Sequence, residues 1–570
     1  MYEIEISDKN YTEWKTTSSL ENPFSHKLFH KDKFNIDNNN IPVIQESPTR
    51  NATFLTGILI LEQNRTFGRT SNKKRLYYSC IPNQSQLPIF LVPYEIQLGF
   101  QKNIKNKYVL FRFDHWLPLE KHPYGILVQT IGDVDILPHY YEYRLYAKNV
   151  HPTNLVSKCN KKIKDCLKTA PLSTYIQTIL NNPREYGYIE DYTYHKDIFT
   201  IDPNGCVDRD DALSIIKTDI PHIFKIQVYI ANIWIWIKVF DLWELLEKTN
   251  CSTIYLPDFN RNMLPTELSE NIGSLDEGEN SHFTFVMEFE INISEKTLKP
   301  IYKRENNIII QRNIHISKNF DYESKSLLKY NPYKLLLQIT REINTEIKDS
   351  HELVAFWMMQ MNTSLAKEMY LKKIGIFRTT TNSKETNSKE TNPNKDTTSF
   401  LHIWEHAISG KYIEYSSDID YDFHHQILNV SHYMHFTSPI RRKVDVYNQL
   451  YWMSEYIPVS VSTRLSSFIN INSINEDTKK IRKIQNECTL LYILQQQQPN
   501  LREGEECIEG IILQIITTEK VLVYLPIYKC ILSCKYCCCN LELYMSVKCK
   551  IYVFERESDY KKKIQLCIVV

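Results

Sequence analysis

The sequence predicts an α+β protein in which small β-barrels flank a mixed centre of strands and helices. Short apolar runs that alternate with polar residues fill residues 51–150 and again residues 503–570, with turn-like segments between them. In the centre, the strand-like alternation of residues 282–291 gives way to helical periodicity over residues 351–370. The strand pattern at both ends and the mixed strand and helix pattern in the middle define the predicted fold class.

The end barrels are expected to be antiparallel and of the OB type. In such barrels exposed aromatic side chains stack on the bases of single-stranded nucleic acid. The alternative is that strand aromatics form the core of the barrel, as they usually do. The six aromatic candidates in the first barrel are Tyr77, Tyr78, Tyr108, Phe111, Phe113 and Trp116.

Composition divides the chain into five segments. Residues 1–50 are polar and predict a loosely ordered arm, and residues 151–198 predict a helical connector between the first barrel and a central domain of residues 199–500. Within that domain TNSKE occurs twice in succession, which predicts a flexible surface insertion near residues 379–398.

Composition and charge bound the class of protein. The 42% hydrophobic and 24% charged fractions are those of an ordinary globular protein, and no run approaches the ~18 apolar residues that cross a membrane. Without an apolar leader we expect a cytoplasmic or nuclear protein, no membrane partner and reduced thiols; CILSCKYCCC (residues 530–539) lacks the spacing of a zinc site. A net charge of +1 means that any polyanion is held by local patches.

The segment FTIDPNGCVDRDDALSI, residues 199–215, concentrates four carboxylates between apolar runs. Such carboxylates repel one another unless a cation neutralises them, and oxygen ligands suit Mg²⁺ or Mn²⁺. An EF-hand is excluded because its fifth, sixth and twelfth positions would be Cys206, Val207 and Leu213. A solvated acidic turn is the remaining alternative. The carboxylates belong to Asp202, Asp208, Asp210 and Asp211.

A second segment, HFTSPIRRKVDVYNQL, supplies positive charge. Ser438 is a good helix N-cap and is followed by proline, which predicts that Arg441 and Arg442 lie in the first helical turn, where backbone amides also attract phosphate. A purely structural helix cap is the alternative. Together, metal-binding carboxylates and a phosphate-seeking arginine describe a phosphodiesterase.

These segments resemble the motifs of the ribonuclease II/R (RNB) exoribonucleases. TIDPNGCVDRDDALSI is similar to the TIDP…D-x-DDA signature of that family, and HFTSPIRR to its second hallmark. Between them, STIYLPDFNRNMLPTELSENIGSL resembles the YLP…MLP…LS…SL segment of the family. The ordered matches cover residues 199–450, and the flanking barrels fit the architecture of the family. The resemblance extends to the catalytic exoribonuclease of the eukaryotic exosome, without its extra N-terminal nuclease domain.

The resemblance implies Mg²⁺-dependent, processive 3′-to-5′ hydrolysis of single-stranded RNA to nucleoside 5′-monophosphates. It assigns metal binding to the four aspartates and makes Asp210 the residue whose loss stops chemistry most cleanly. Arg441 stabilises the transition state, and Arg442 contributes to RNA binding. Tyr255 stacks on the 3′-terminal nucleotide, with a core tyrosine as the alternative. Asp445 is expected to orient one of the two arginines.

Three positions depart from the family pattern. VHIAD becomes VYIAN, with Tyr229 and Asn232 in place of histidine and aspartate, and Lys443 replaces the tyrosine of SPIRRY. We expect the first two to perturb the surroundings of the metal site while activity remains. Two alternatives stay open: a catalytically silent RNA-binding protein, and a scaffold subunit of an RNA-decay assembly in place of a monomeric enzyme.

Overall fold

The computed structural model describes most of the chain, in two compact units. The first comprises Met1–His151, Leu256–Phe259 and Arg482–Val570, and the second Pro152–Tyr255 and Asn260–Ile481. Outside the described residues lie 19–21, 39–40, 73, 97–103, 152, 304–306, 381–409, 417–422, 427, 462, 464–468, 498–506, 518, 529, 537–540, 557–559 and 570. The TNSKE repeat and the last three cysteines of CILSCKYCCC are among them. No helix of the described part is long and apolar enough to cross a membrane.

The first unit begins with a four-stranded sheet of order β2-β1-β3-β4. Its strands are β1 (Tyr2–Ile6), β2 (Trp14–Thr16), β3 (Lys33–Ile36) and β4 (Pro42–Glu46). Residues 1–50 therefore differ from the loosely ordered arm that their composition predicts. The alternating residues Ile4 and Ile6, together with Phe29 and Phe34, are buried in the same core as the barrel that follows. The burial of a few apolar side chains thus stabilises a segment whose overall composition is polar.

Two closed five-stranded barrels follow the same plan and confirm the predicted fold class. Both resemble OB folds, with orders β5-β6-β7-β9-β8 and β22-β23-β24-β26-β25 and one parallel pair closing each barrel. The strands are β5 (Leu55–Leu59), β6 (Leu76–Pro82), β7 (Phe90–Tyr94), β8 (Lys107–His115), β9 (Tyr124–Asp133), β22 (Ile508–Thr517), β23 (Lys520–Leu525), β24 (Cys530–Lys535), β25 (Ser546–Arg556) and β26 (Lys561–Val569).

The aromatic side chains of the first barrel are mainly core. Tyr78, Tyr108, Phe111 and Trp116 are buried, so these four follow the packing alternative. The remaining two candidates, Tyr77 and Phe113, are half-buried. Little aromatic surface among the six is therefore left for stacking on bases.

The second unit is built around a twisted sheet of order β10-β18-β16-β13-β12-β11-β19, with β17 paired to β16. Its strands are β10 (Ile189–Asp191), β11 (Phe199–Asp202), β12 (Asp211–Lys217), β13 (Ile223–Ala231), β16 (His282–Asn292), β17 (Thr297–Ile301), β18 (Ile309–Ile314) and β19 (Lys318–Asp321). Two small ribbons add β14 (Ile254–Tyr255), β15 (Asn260–Arg261), β20 (Ile376–Thr380) and β21 (Gly410–Glu414).

The helices of the described chain occur mainly in this unit. They are α1 (Leu137–Ala147), α2 (Asn154–Thr169), α3 (Leu172–Leu180), α4 (Pro183–Tyr186), α5 (Ile233–Val239), α6 (Trp243–Lys248), α7 (Asn331–Ile343), α8 (Ser350–Leu371), α9 (Lys443–Trp452) and α10 (Ile471–Gln497). Helices α2, α3 and α4 lie within the segment of residues 151–198, which also contains strand β10.

One apolar run contains both a strand and a helix. Residues 224–240 form β13 and then helix α5, because the side-chain oxygen of Gln449 accepts hydrogen bonds from the amides of Ile233 and Trp234 at 3.1 and 3.3 Å. These bonds satisfy the first-turn amides that an isolated helix leaves open. Since α5 is buried almost all round, its periodicity does not distinguish helix from strand.

Gly57 tests the packing of the first barrel. A Cβ at this position would lie 2.7 Å from Cys80 Sγ and 2.8 Å from Phe111 Cε1, so we expect Gly57→Ala to lower the free energy of unfolding of the barrel by about 1–3 kcal/mol. Hydrogen exchange of the β5 and β8 amides under increasing urea measures the loss. Gly278→Ala, which meets no atom within 4 Å, is the matched control. Equal exchange in the two variants would contradict the tight packing.

Candidate active site

The four aspartates of the acidic segment lie on one β-hairpin. Asp202 ends β11, Asp208 and Asp210 lie in the connecting loop, and Asp211 begins β12. The loop includes Gly205, whose φ of +74° is a conformation that glycine adopts at little cost. The turn that the sequence predicts therefore brings the first aspartate back toward the other three.

The loop is anchored by the segment that resembles the family's SL motif. The amide of Arg209 donates to Ser274 Oγ at 3.1 Å, and the Arg209 carbonyl accepts from the amide of Leu275 at 3.0 Å. The Arg209 guanidinium forms an ion pair with Asp276 and lies 3.7 Å from Asp202. These contacts fix the loop between Asp208 and Asp210, which is how a remote motif positions the carboxylates.

Asp210 is the carboxylate that joins the two predicted segments. It is 2% exposed; its Oδ1 accepts a hydrogen bond from the amide of Ile440 at 2.7 Å, and its Oδ2 lies 3.0 Å from Arg441 Nε. Burial raises the pKa of this carboxyl well above its usual range, while the Arg441 guanidinium opposes the shift. Asp210 and Arg441 are thus in direct contact although they lie 231 positions apart in the sequence.

The arginines precede the helix instead of occupying its first turn. The predicted N-cap, Ser438, lies five residues before the first residue of α9, Lys443. The Arg441 carbonyl accepts from the amide of Thr253, and the Lys443 amide donates to the carbonyl of Cys251. This short pairing with residues 251–253 holds the turn outside the helix, so tertiary hydrogen bonds override the local capping signal.

Arg442 has a different partner from Arg441. Its Nη2 lies 3.0 Å from Oδ1 of Asp445, which is fully buried and also accepts from the amide of Ser438 at 2.7 Å. Burial raises the pKa of Asp445, and Arg442 opposes that shift. The arginine that Asp445 orients is therefore Arg442. This arrangement leaves Arg441 to face Asp210, whereas an RNA contact by Arg442 stays a prediction.

Asp202 and Asp211 are compensated less directly. Burial raises the pKa of both carboxyls, and the charge of Asp202 raises that of Asp211 further, while arginine charges oppose both shifts. Asp202 Oδ2 is buried without a hydrogen-bond partner among the described residues, with the Arg209 guanidinium at 3.7 Å. Two crowded carboxyls of this kind are the groups that a cation would stabilise.

The donor chemistry of the cluster fits a hard divalent cation. Asp202, Asp208 and Asp211 supply oxygens, and Asp208 Oδ1 accepts from the Cys206 thiol at 3.5 Å. Within the described residues no three His, Cys, Asp or Glu side chains stand in a metal-binding arrangement. The carboxylate oxygens of the cluster suit a divalent metal ion. That these carboxylates gather around one ion remains a prediction.

Two tyrosines border the cluster. The hydroxyl of Tyr255 donates to Asp208 Oδ2 at 3.1 Å, while its side chain remains 36% exposed. The sequence analysis missed Tyr322, whose amide donates to the Asp202 carbonyl at 3.0 Å and whose pKa is raised by burial and then by Asp211. Its place follows from the pairing of β11 with β19, a contact over more than 100 residues that no local pattern indicates.

The side chains of Tyr229 and Asn232 form hydrogen bonds with glutamines. The Tyr229 hydroxyl donates to Gln227 Oε1 at 2.5 Å, and Asn232 Nδ2 donates to Gln311 Oε1 at 2.8 Å. Tyr229 pairs across strands with Ala212, which directly follows Asp211 in β12. The side chains of Tyr229 and Asp211 therefore point to opposite faces of the sheet. The expected disturbance around the metal site is not seen in these hydrogen bonds.

Lys443 is the third departure and is 5% exposed. Its Nζ donates to the carbonyl of Thr249, and burial lowers its pKa to about 8. The Lys443 side chain thus packs beneath the turn that contains Arg441 and Arg442. Cys251, whose carbonyl accepts from the Lys443 amide, is also buried there.

Comparisons with known proteins identify the family. The model of the RNB domain matches residues 190–328 and 294–453, the region that holds both the aspartates and the arginines. The chain belongs to the RNB domain family. The family resemblance predicted from the motifs is confirmed.

Individual relatives are distant. The probable exosome complex exonuclease RRP44 of Caenorhabditis elegans is 26% identical over 186 residues, which are 32% of this chain and only 18% of the relative. The structure of Mycoplasma genitalium RNase R in complex with ribose-methylated single-stranded RNA superposes with a TM-score of 0.66 at 15% identity, covering 99% of this chain and all of the other. Yeast Ssd1, a pseudonuclease, gives 0.56 at 14% identity over 87% and 66%. At these identities the structures show the shared fold.

The buried charge of Lys443 predicts a pH effect on stability. Its pKa is lowered from 10.5 to about 8 on folding, so between these values the unfolded state binds more protons and stability rises with pH. From roughly pH 7.5 to 9.5 we expect wild type to gain about 2 kcal/mol relative to Lys443→Met. Urea unfolding of both proteins at the two pH values measures the difference. Lys367→Met, at an exposed lysine, is the control: over this pH range wild type should gain no stability relative to it.

Proposed function

We propose that the chain is a Mg²⁺-dependent exoribonuclease that hydrolyses single-stranded RNA processively from the 3′ end to nucleoside 5′-monophosphates. The observation that carries the proposal is the contact between Asp210 and Arg441 beside the crowded pair Asp202 and Asp211. It supplies, within one site, oxygen ligands for a cation and a guanidinium for phosphate. We further propose that it acts as a monomer in the cytoplasm.

The metal would be held by Asp202, Asp208 and Asp211. When bound, it supplies an activated water and positive charge at the leaving oxygen. Arg441 is anchored through Nε to Asp210, and its side chain remains about half exposed. Its remaining donors can therefore neutralise charge that develops on the phosphate. Asp210 orients this guanidinium, which gives it a role distinct from that of the other three aspartates.

RNA positioning is proposed for one exposed tyrosine and for the second barrel. Tyr255 lies next to Asp208 with an exposed ring, where a terminal base can stack. On β25, Tyr552 and Phe554 are each 42% exposed and alternate along the same face of the strand, and Phe554 pairs across strands with Lys563. Aromatic rings beside a cation are a platform for single-stranded RNA. The second barrel thus offers the stacking surface that the first barrel largely lacks.

A catalytically silent RNA-binding protein is the second candidate. Both oxygens of Asp210 are already engaged, by Ile440 and Arg441, and a pseudonuclease shares the fold. A scaffold role in an RNA-decay assembly would follow the relative named as an exosome component, of which the matched region spans 18%. Turnover separates the first of these from the enzyme, because a silent protein binds RNA and releases no mononucleotide.

Hydrolysis is tested with 5′-labelled single-stranded RNA and Mg²⁺, followed as a product ladder. Asp210→Asn should lower the rate by about a thousandfold or more while RNA affinity changes little, because the arginine loses its charged partner at the reacting phosphate. Asp219→Asn, on an exposed turn after the same hairpin, is the control and should keep wild-type rate. A wild-type protein that binds the RNA but yields no 5′-monophosphate would establish the silent alternative.

Metal binding is tested without RNA. We expect Mn²⁺, followed by electron paramagnetic resonance, to bind wild type, and Asp211→Asn to weaken that binding by about tenfold or more, since one charged ligand is lost. Asp219→Asn again serves as the control. Equal Mn²⁺ affinity in all three proteins would place the ion elsewhere and remove the proposed ligand roles.

A further inference from the structure

The second unit also contains a cavity that lies away from the aspartates. Its volume is about 570 Å³, within the range of about 300–1,000 Å³ for small-molecule sites. It is lined by residues of β18, by residues beside β10, and by the segments that follow α8 and α9. Strands β16 and β13 separate β18 from β12, where Asp211 begins, which amounts to about 14 Å at the usual strand spacing.

Aromatic rings form part of its wall. Tyr188, Trp452 and Tyr456 line the cavity, and Tyr188 is 55% exposed. Lys372, another lining residue, holds its Nζ 5.0 Å from the centre of the Trp452 ring. A flat, electron-rich wall with a cation beside it is suited to a planar heterocycle that carries an anionic group.

Two basic side chains also line the cavity. Arg312 lines the cavity and is 4% exposed; it binds Glu190 at 2.6 Å and Glu288 at 2.8 Å, yet its Nη1 is buried without a partner among the described residues. Lys303 uses one donor on Glu288, at 2.7 Å, and keeps two others. The two glutamates are thus balanced by two cations.

The remaining charged lining residues are Lys372 and Glu455. Among the described residues Lys372 pairs with Glu368, at 4.0 Å, and its side chain is 42% exposed. Its ammonium is therefore accessible to an anionic ligand, together with the spare donors of Lys303.

We propose that this cavity binds a nucleoside monophosphate, with the base against the aromatic wall and the phosphate at Lys372 and Lys303. The site is separate from the carboxylate cluster and needs no catalysis there. It would hold a molecule of the class that the proposed hydrolysis releases. The inference rests on the side chains of the cavity, so it stands or falls independently of turnover.

Isothermal titration with adenosine 5′-monophosphate tests the proposal in the full chain carrying Asp210→Asn. We expect binding that weakens about tenfold in Lys372→Gln, since a charge-assisted contact is lost, and similarly in Tyr188→Ala. Lys367→Gln removes an equal charge from the exposed face of α8 and should leave affinity unchanged. Both cavity variants change partly exposed residues, so folding should survive and can be checked by circular dichroism.

Two further measurements distinguish binding at this cavity from binding at the carboxylate cluster. Arg441→Ala should leave the affinity at this cavity unchanged, and adenosine without phosphate should bind at least about tenfold more weakly. The proposal is overturned if no binding occurs at millimolar nucleotide, or if Arg441→Ala abolishes binding while Lys372→Gln does not. Equal affinity for adenosine would overturn it as well.

Discussion

The site depends on one buried ion pair, between Asp210 and Arg441. A carboxylate that is 2% exposed is unfavourable by several kcal/mol unless hydrogen bonds and an opposite charge compensate it. The Ile440 amide and the Arg441 guanidinium provide both. The acidic hairpin and the arginine turn are therefore stable together and each poorly satisfied alone. The bonds from Thr253 to the Arg441 carbonyl and from Leu275 to the Arg209 carbonyl hold the two loops in position.

The aspartates consequently divide into two kinds. Asp210 has a direct ion pair with Arg441, whereas burial raises the pKa of Asp202 and of Asp211, and the charge of Asp202 raises that of Asp211 further. Because a protein interior disfavours such a pair, the folded chain bears an electrostatic cost at this point that a divalent cation would relieve. Coupling of metal binding to local stability follows from that imbalance, since an ion that binds only the folded pair stabilises it.

Local signals in the sequence were sufficient where the chain itself contains the reason. The barrel strands, the strand over residues 282–292 and helix α8 follow their periodicity, and Gly205 marks the turn of the acidic loop. They failed where distant residues decide. Gln449 makes the run after β13 helical, and residues 251–253 hold Ser438 outside the helix it was expected to cap. Tyr322 reaches the cluster through a strand pairing that sequence spacing does not reveal.

The departures from the family pattern are informative because of where their side chains lie. Tyr229 bonds to Gln227 and Ser214 on the face of the sheet opposite to Asp211, and Asn232 bonds to Gln311. These hydrogen bonds go to residues other than the four aspartates, and the contacts of Asp210 with Ile440 and Arg441 are in place beside them. Lys443, in contrast, is buried under the arginine turn, with its amide on Cys251 and its ammonium on Thr249. Of the three departures it lies in the segment that holds Arg441, so its burial bears most directly on the position of that guanidinium.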